Sequence, residues 1–241
     1  MSDDAPPQHK PVVIAIDGPA ASGKSSTAHW VASVLQYRHV DSGALYRAAT
    51  AAAVRSGVSP AEWTEASVLG AAADVSLSPR ETSFSPCIAG EDIEAEIRGP
   101  EVTRFVSRVA QMPRVREWVN ALVRETARNH DVVVDGRDMG TAVFPDATLK
   151  VFLIADPWER ARRRLTQQIG RRPTDAEIAE ETDRIVHRDA QDATQTVQAK
   201  DAVLIDTTYL TQPQQVERIV ALAKAVTQRG SETSPVDGYR G

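Results

Sequence analysis

Residues 18–25, near the N-terminus, constrain the fold of this 241-residue chain more than any other stretch. They read GPAASGKS and fit the pattern G-x-x-x-x-G-K-[ST]. Residues 12–16 before them are apolar and mostly β-branched, which predicts a buried strand. After them, apolar residues recur at helical spacing from Ala28 to Leu35. The stretch is therefore expected to be the loop between a buried strand and a helix.

The composition of this loop suits it to binding phosphate. Gly18 and Gly23 allow backbone conformations and close approaches that a Cβ atom would obstruct. Backbone N–H groups then meet the anion at the positive end of the helix, while Lys24 reaches the β- and γ-phosphates and Ser25 holds Mg²⁺. A turn that merely caps a helix is the alternative, and the complete motif in a strand–loop–helix context disfavours it. The loop predicts binding of a nucleoside triphosphate, through Gly18, Pro19, Ala20, Ala21, Ser22, Gly23, Lys24, Ser25 and Ser26.

Composition excludes several classes of protein. With 41% hydrophobic and 25% charged residues the chain is an ordinary globular one, expected to form a single domain. Its net charge of −5 argues against broad binding to nucleic acid or to anionic membranes, although a local basic cleft is compatible with it. The lone cysteine, Cys87, precludes a disulfide within the chain and suits a reducing compartment. Without a signal-like or membrane-spanning segment, a cytoplasmic protein is expected.

Further short apolar runs predict the rest of the sheet. Residues 132–134, 149–154 and 202–206 read as buried strands, a shorter strand is expected near residue 40, and helical stretches separate them. This order predicts an α/β fold with a parallel sheet and helices on both faces. Residues 75–93 instead alternate apolar and polar side chains between turn signals, which predicts a small inserted antiparallel hairpin.

The strongest cluster of charge lies between residues 160 and 190. Arg160, Arg163 and Arg164 share one predicted helix, and a capping box from Thr174 to Glu177 begins the next. Arginine forks grip phosphate oxygens well, so this hairpin is predicted to be a mobile lid over the transferred phosphate. A solvated hairpin held by salt bridges is the alternative.

These parts together indicate phosphoryl transfer to a small acceptor. Such chemistry needs positioning and charge neutralisation more than covalent help from the protein. A GTPase fits less well, because neither Asn120 nor Asn129 begins an Asn-Lys-x-Asp motif.

Longer segments resemble one family. The matching segments are residues 16–19, 24–26, 41–47, 89–93, 96–98 and 113–116 and, longest of all, 135–147 with the sequence DGRDMGTAVFPDA. Over residues 12–225 the chain resembles the bacterial cytidylate kinases, P-loop nucleoside monophosphate kinases. The resemblance implies a five-stranded parallel sheet with helices on both faces, a small antiparallel insert and a helical lid.

The resemblance also implies the reaction and the division of the chain. The expected reaction is phosphorylation of CMP or dCMP by ATP with Mg²⁺, in a protein expected to be a monomer without nucleic-acid or membrane partners. One domain is expected over residues 11–228, with loose tails at 1–10 and 229–241. Its expected parts are a core (11–57, 129–158 and 200–228), an acceptor-binding region with the insert (58–128) and a lid (159–190).

Site residues follow from the resemblance position by position. Ser42, Arg47 and Arg137 would hold the phosphate end of CMP; Ser107, Arg116 and Asp138 would read cytosine; Arg188 and Asp192 would contact the sugar. Tyr46 is included among the CMP-binding residues. The predicted catalytic residues are Lys24, Arg137, Arg160 and Arg163, and the predicted metal ligand is Ser25.

The resemblance fails in one segment. Where the family usually has a further arginine this chain has Gln195, and a proline-containing segment is shortened within residues 193–200. Losing a charge-assisted hydrogen bond costs roughly 1.5–3 kcal/mol. This predicts a raised KM for CMP, an altered base preference, or compensation by a lid arginine such as Arg184.

Two other functions remain open at this level. A kinase of a modified cytidine nucleotide or another small acceptor is one, although a base-reading pair such as Asp138 and Arg116 favours cytosine. A nucleotide-binding regulatory protein is the other, and the intact Lys24 and Ser25 argue against it.

Overall fold

The computed structural model describes residues 11–232 and has a parallel five-stranded sheet at its centre. The strands are β1 (Val13–Asp17), β2 (Arg38–Asp41), β3 (Val75–Pro79), β4 (Phe84–Ile88), β5 (Glu91–Asp92), β6 (Val132–Gly136), β7 (Leu149–Ile154) and β8 (Val203–Asp206). The helices are α1 (Lys24–Leu35), α2 (Ser42–Arg55), α3 (Glu65–Ala71), α4 (Pro100–Ala110), α5 (Pro113–Ala127), α6 (Pro157–Ile169), α7 (Asp175–Asp192) and α8 (Gln212–Glu232). The order across the sheet is β2-β6-β1-β7-β8.

Alternating side chains in the sheet divide the core between its two faces. In β6, Val133 packs with residues of α1 and α8, whereas Val132 and Val134 pack with residues of α2 to α5. All three valines are fully buried. Because both faces are covered by helices, the central strands β1 and β6 are apolar up to the aspartates near their C-terminal ends, as the sequence predicted. The predicted fold class is confirmed.

The insert forms a second, antiparallel sheet in the order β3-β4-β5, as the alternating pattern predicted. It joins the large sheet at His39, whose backbone N–H donates to the carbonyl of Thr82 over 2.9 Å. Between α2 and the insert, two short 3-10 turns, Pro60–Glu62 and Ala72–Asp74, flank α3. A capping box between Thr64 and Ser67 begins α3 there.

Helices α6 and α7 form the predicted helical hairpin, which has a small core of its own. Ala161, Ile178 and Ile185 are buried between them. The predicted capping box is present, with the Thr174 hydroxyl and the Glu177 carboxylate each bonded to the other residue's backbone N–H. Ion pairs also cross the hairpin, so its helices are held by apolar and charged contacts together. That the hairpin moves as a lid stays a prediction.

Residues 1–10 and 233–241, which belong to the predicted tails, lie outside the described residues, and α8 continues past residue 228 to Glu232. Among the helices described, none is both long and apolar enough to cross a membrane.

Candidate active site

A cleft of about 1400 Å³ opens at the carboxyl ends of the parallel strands, where ligands of such sheets bind. Most of the residues singled out from the sequence line it. On its wall are Ala20, Ala21, Gly23, Lys24, Ser25, Ser26, Ser42, Tyr46, Arg47, Ser107, Arg116, Arg137, Asp138, Arg163, Arg188 and Asp192. The others, Gly18, Pro19, Ser22 and Arg160, are not part of this wall.

The glycine-containing loop has the shape that its sequence predicts. A Cβ atom on Gly18 would collide with the backbone carbonyl of Leu153, so the loop can lie this close to β7 only with glycine there. Gly23 adopts a φ of 85° as the residue before α1, a conformation that side chains disfavour. The Ser22 hydroxyl is buried without a hydrogen-bond partner. The first turn of a helix leaves backbone N–H groups without partners inside the helix, so the start of α1 fits a loop that receives an anion.

Lys24 is the cation of this loop. Its ammonium donates to the carbonyl of Pro19 over 3.1 Å. Burial, and after it the charge of Arg137, lower the pKa of Lys24 to about 7. Without a ligand, such a lysine is partly deprotonated near neutral pH. A phosphate group beside it would raise its pKa again, because an anion stabilises the protonated form.

Asp135, at the end of β6, connects three elements of the cleft. One of its carboxylate oxygens accepts from the Ser25 hydroxyl at 2.5 Å, and the other contacts His39 Nε2 at 2.7 Å. Its backbone carbonyl accepts from the Ser42 hydroxyl at 2.8 Å. Since the Ser25 proton is directed to Asp135, the lone pairs of the serine oxygen are available to a hard cation. The donor chemistry at Ser25 therefore fits Mg²⁺.

A second buried carboxylate shapes the turn after β6. Asp17 accepts from the backbone N–H groups of Met139 and Gly140, each at 2.8 Å. Burial raises the pKa of Asp17 to about 6 even though these two hydrogen bonds favour its charged form. The turn that they anchor is a single π-helical turn over Met139–Val143, and it directly follows Arg137 and Asp138. Asp17 thus fixes the backbone beside two predicted site residues.

Across the cleft from the loop, Arg116 joins Asp138 to Gln195. Its guanidinium donates to the Asp138 carboxylate at 2.5 Å and to the Gln195 carboxamide oxygen at 2.9 Å, and it also bonds the carbonyl of Ala110. The same guanidinium lies 5.7 Å from the ring centroid of Tyr46. Burial raises the pKa of Tyr46 to about 12. Because a guanidinium only donates, the Gln195 oxygen must face Arg116 and its NH₂ group must face elsewhere.

Several arginines crowd the middle of the cleft around a single carboxylate. Arg137 donates to Asp192 and to the carbonyl of Gly18, each at 2.8 Å, and Arg188 lies 3.7 Å from Asp192. Burial, then the charge of Arg137, lower the pKa of Arg188 to about 10, and its Nε atom is buried without a hydrogen-bond partner. Arg47 is held nearby by Ile97 and Thr103. This excess of positive charge fits an anionic ligand.

The lid arginines are bound to protein groups in this conformation. Arg163 donates to the backbone carbonyls of Thr207 and Thr208, and Arg164 pairs with Glu181 at 3.2 Å. Arg184, expected to compensate for Gln195, is exposed on α7 and pairs with Glu180 and Glu181. It is not part of the cleft wall, so this arrangement gives that compensation no support.

Arg160 holds the loop rather than facing the cleft. Its buried guanidinium donates to the carbonyl of Ala20 at 2.8 Å and to Asp189 at 2.6 Å. Asp189 in turn accepts from the N–H of Ala20 at 3.0 Å. Both polar groups of Ala20 are thus tied to the two helices of the hairpin.

Tyr209 and His39 are among the residues of this region that were not singled out from the sequence, as are Asp17, Asp135 and Asp189. Tyr209 follows β8, lines the cleft and is 92% exposed. His39 lies in β2 and bonds to Asp135. An exposed aromatic residue in a polar loop and an ionisable residue inside a short strand are the only signals that the sequence offers for Tyr209 and His39.

The fold and the site define a P-loop α/β protein with a nucleotide-sized cleft. The family model for cytidylate kinase matches residues 14–225. The cytidylate kinase of Corynebacterium glutamicum is 38% identical over 92% of this chain and 98% of its own length. That of Lactiplantibacillus plantarum is 40% identical over 91% of this chain and 96% of its own. A bifunctional pantoate ligase/cytidylate kinase of Synechococcus sp. is 40% identical over 92% of this chain and 42% of its own length. The chain belongs to the cytidylate kinase family.

Proposed function

We propose that the protein transfers the γ-phosphoryl group of Mg·ATP to CMP or dCMP, giving ADP and CDP or dCDP. One observation carries the choice of acceptor: the Asp138–Arg116 pair shares a single cleft with the glycine loop. Together with membership of the family, this supports a pyrimidine nucleotide facing a nucleoside triphosphate.

On the donor side, residues 18–26 form the cradle for the ATP phosphates. Lys24 supplies a charge to the phosphates and the Ser25 oxygen is the proposed metal ligand. Bound Mg²⁺ would neutralise negative charge on the phosphates. The exposed ring of Tyr209, on the loop after β8, is proposed to lie against the adenine base.

On the acceptor side, each role follows from donor and acceptor chemistry. Asp138 would accept from the N4 amine of cytosine, while Arg116 donates to O2 and N3, with Ser107 and Tyr46 beside them. Ser42, Arg47 and Arg137 are assigned to the CMP phosphate, and Arg188 and Asp192 to the sugar. The crowding of Arg137 by Arg188 supports a phosphate beside Arg137, because a transferring phosphoryl group carries charge that the Arg137 guanidinium would neutralise.

The lid is assigned a less direct part. Arg160 would act by fixing Ala20 in the loop, and Arg163 would have to leave the carbonyls of Thr207 and Thr208 to reach a phosphate. Closure of α6 and α7 over the cleft would exclude water and limit hydrolysis of ATP. The protein is proposed to do this as a cytoplasmic monomer with nucleotides as its only partners.

An ADP-release assay tests the proposal. Purified protein with Mg·ATP is presented with CMP, dCMP, UMP, AMP and GMP in turn, and Lys24→Ala serves as the inactive control. Turnover with CMP and dCMP far above the other three is the expected result. No turnover with any of them, while ATP still binds, would refute the proposal and direct attention to modified cytidine nucleotides or a regulatory role.

A further inference from the structure

A histidine outside the cleft wall is connected to the proposed metal ligand through one carboxylate. His39 lies in β2, a strand at the edge of the large sheet, and is 8% exposed. Its Nε2 atom is 2.7 Å from one oxygen of Asp135, and the other oxygen of Asp135 accepts from the Ser25 hydroxyl at 2.5 Å. The three side chains therefore form a hydrogen-bonded chain from β2 to the first turn of α1.

The direction of these hydrogen bonds follows from the groups. Asp135 is 1% exposed, and its two carboxylate oxygens each face one side chain, Oδ1 the His39 imidazole and Oδ2 the Ser25 hydroxyl. An ionised carboxylate only accepts, so His39 Nε2 and Ser25 Oγ both donate to it. The serine proton is thereby committed to Asp135, and the serine oxygen keeps its lone pairs for another ligand.

His39 is itself fixed from two sides. Its backbone pairs with β6 in register with Val133 and, on the other side, donates to the carbonyl of Thr82 in the insert. An isolated bridge to Ser83 continues that contact. The imidazole is therefore attached to a backbone that both sheets restrain, which limits how far Asp135 can turn away from Ser25.

We propose that His39 is a positioning residue for the donor nucleotide: it holds Asp135 as the acceptor of the Ser25 proton and so keeps the serine oxygen available to the metal of Mg·ATP. The proposal rests on the proposed function only in taking a metal–nucleoside triphosphate as the ligand of the loop. It assigns His39 no contact with either nucleotide.

Three variants of His39 and one of His29 separate this positioning role from simple packing. Glutamine places an amide nitrogen at the reach of Nε2, so His39→Gln keeps a donor to Asp135. Asparagine is one bond shorter and methionine has no donor, so H39N and H39M remove the hydrogen bond. His29 is the matched control, because its ring lies 5.9 Å from that of His39 while belonging to α1.

The measurement is equilibrium binding of a fluorescent N-methylanthraniloyl ATP analogue, with excess Mg²⁺ and with EDTA. The readout is the factor by which Mg²⁺ tightens binding. Loss of a partner that orients a metal ligand typically lowers metal affinity by roughly 10- to 100-fold. We expect a loss of this size in H39N and H39M, retention in H39Q, and no change in His29→Gln.

Equal Mg²⁺ factors in H39Q and in the donor-less variants, whether all high or all low, overturn the proposal. A packing defect would lower thermal stability in H39N and H39M without changing the factor, and that outcome also counts against it. Because H39M keeps an apolar side chain in a buried place, the comparison survives if H39N does not fold. The binding assay contains no CMP or other acceptor. A failure of the protein to phosphorylate CMP would therefore refute the proposed function without affecting the test of His39.

Discussion

Binding of ATP at alkaline pH should take up a proton at Lys24. With its pKa at about 7 in the protein without nucleotide, Lys24 is only about 10% protonated at pH 8. Phosphate beside the ammonium favours the charged form and raises this pKa, so the bound lysine is protonated. The difference is an uptake of about 0.9 proton per ATP at pH 8, falling to about 0.1 at pH 6 if the bound pKa exceeds 9.

Isothermal titration calorimetry at pH 8, in buffers that differ in ionisation enthalpy, measures this uptake directly. Lys24→Arg should bind ATP with almost no uptake, because a guanidinium is protonated in both states. Lys150→Arg is the matched control, since Lys150 contacts Asp201 outside the cleft wall. An uptake below about 0.2 proton in the unmodified protein, or an equal uptake in Lys24→Arg, would refute the reasoning from burial.

The remaining predictions concern the base pocket, the donor base and the core. Asp138→Asn should lower kcat/KM for CMP roughly 10- to 150-fold in steady-state assays, which corresponds to about 1.5–3 kcal/mol in activation free energy, and should change kcat/KM for UMP little. Equal losses for CMP and UMP would contradict the role of Asp138 in reading the base. Tyr209→Ala should weaken ATP binding by about 1 kcal/mol, roughly five-fold, and Tyr209→Phe should not, as measured by calorimetry. Ile219→Ala, in the fully buried face of α8, should lower the free energy of unfolding by about 2–5 kcal/mol in urea titrations, whereas the exposed Val203→Ala should change it by less than about 0.5 kcal/mol.

Local patterns were enough to predict the α/β fold class and the strand–loop–helix context of the glycine-containing loop. The loop from Gly18 to Ser25 lies between β1 and α1 because its glycines, its lysine and the flanking apolar periodicities all act within a few residues of one another. The same is true of Thr174 and Glu177, whose capping box involves one helical turn. Such features can be predicted from one sequence, because the residues that make them are neighbours in it.

Contacts between distant parts of the chain could not be predicted in this way. The sequence marked Gln195 as a lost arginine, but only the fold brings its oxygen to Arg116, 79 residues away in the chain. The sequence predicted Arg160 to be an arginine of the lid. Only the fold shows that it donates to the carbonyl of Ala20, 140 residues away in the chain. The sequence marks His39 only as an ionisable residue in a short strand, and its contact with Asp135 depends on the register between β2 and β6.

The peptide group of Ala20 has a mechanical consequence. Asp189 holds its N–H and Arg160 holds its carbonyl, so α6 and α7 are both pinned to the phosphate loop at one point. Because the base of the hairpin is held at this peptide group, we expect any closing movement to displace Gly170 and the turn to Thr174 most, while the base stays at the loop unless both bonds break. We therefore expect the angle of the hairpin to change when the loop binds a ligand, because the two are joined through the Ala20 peptide group.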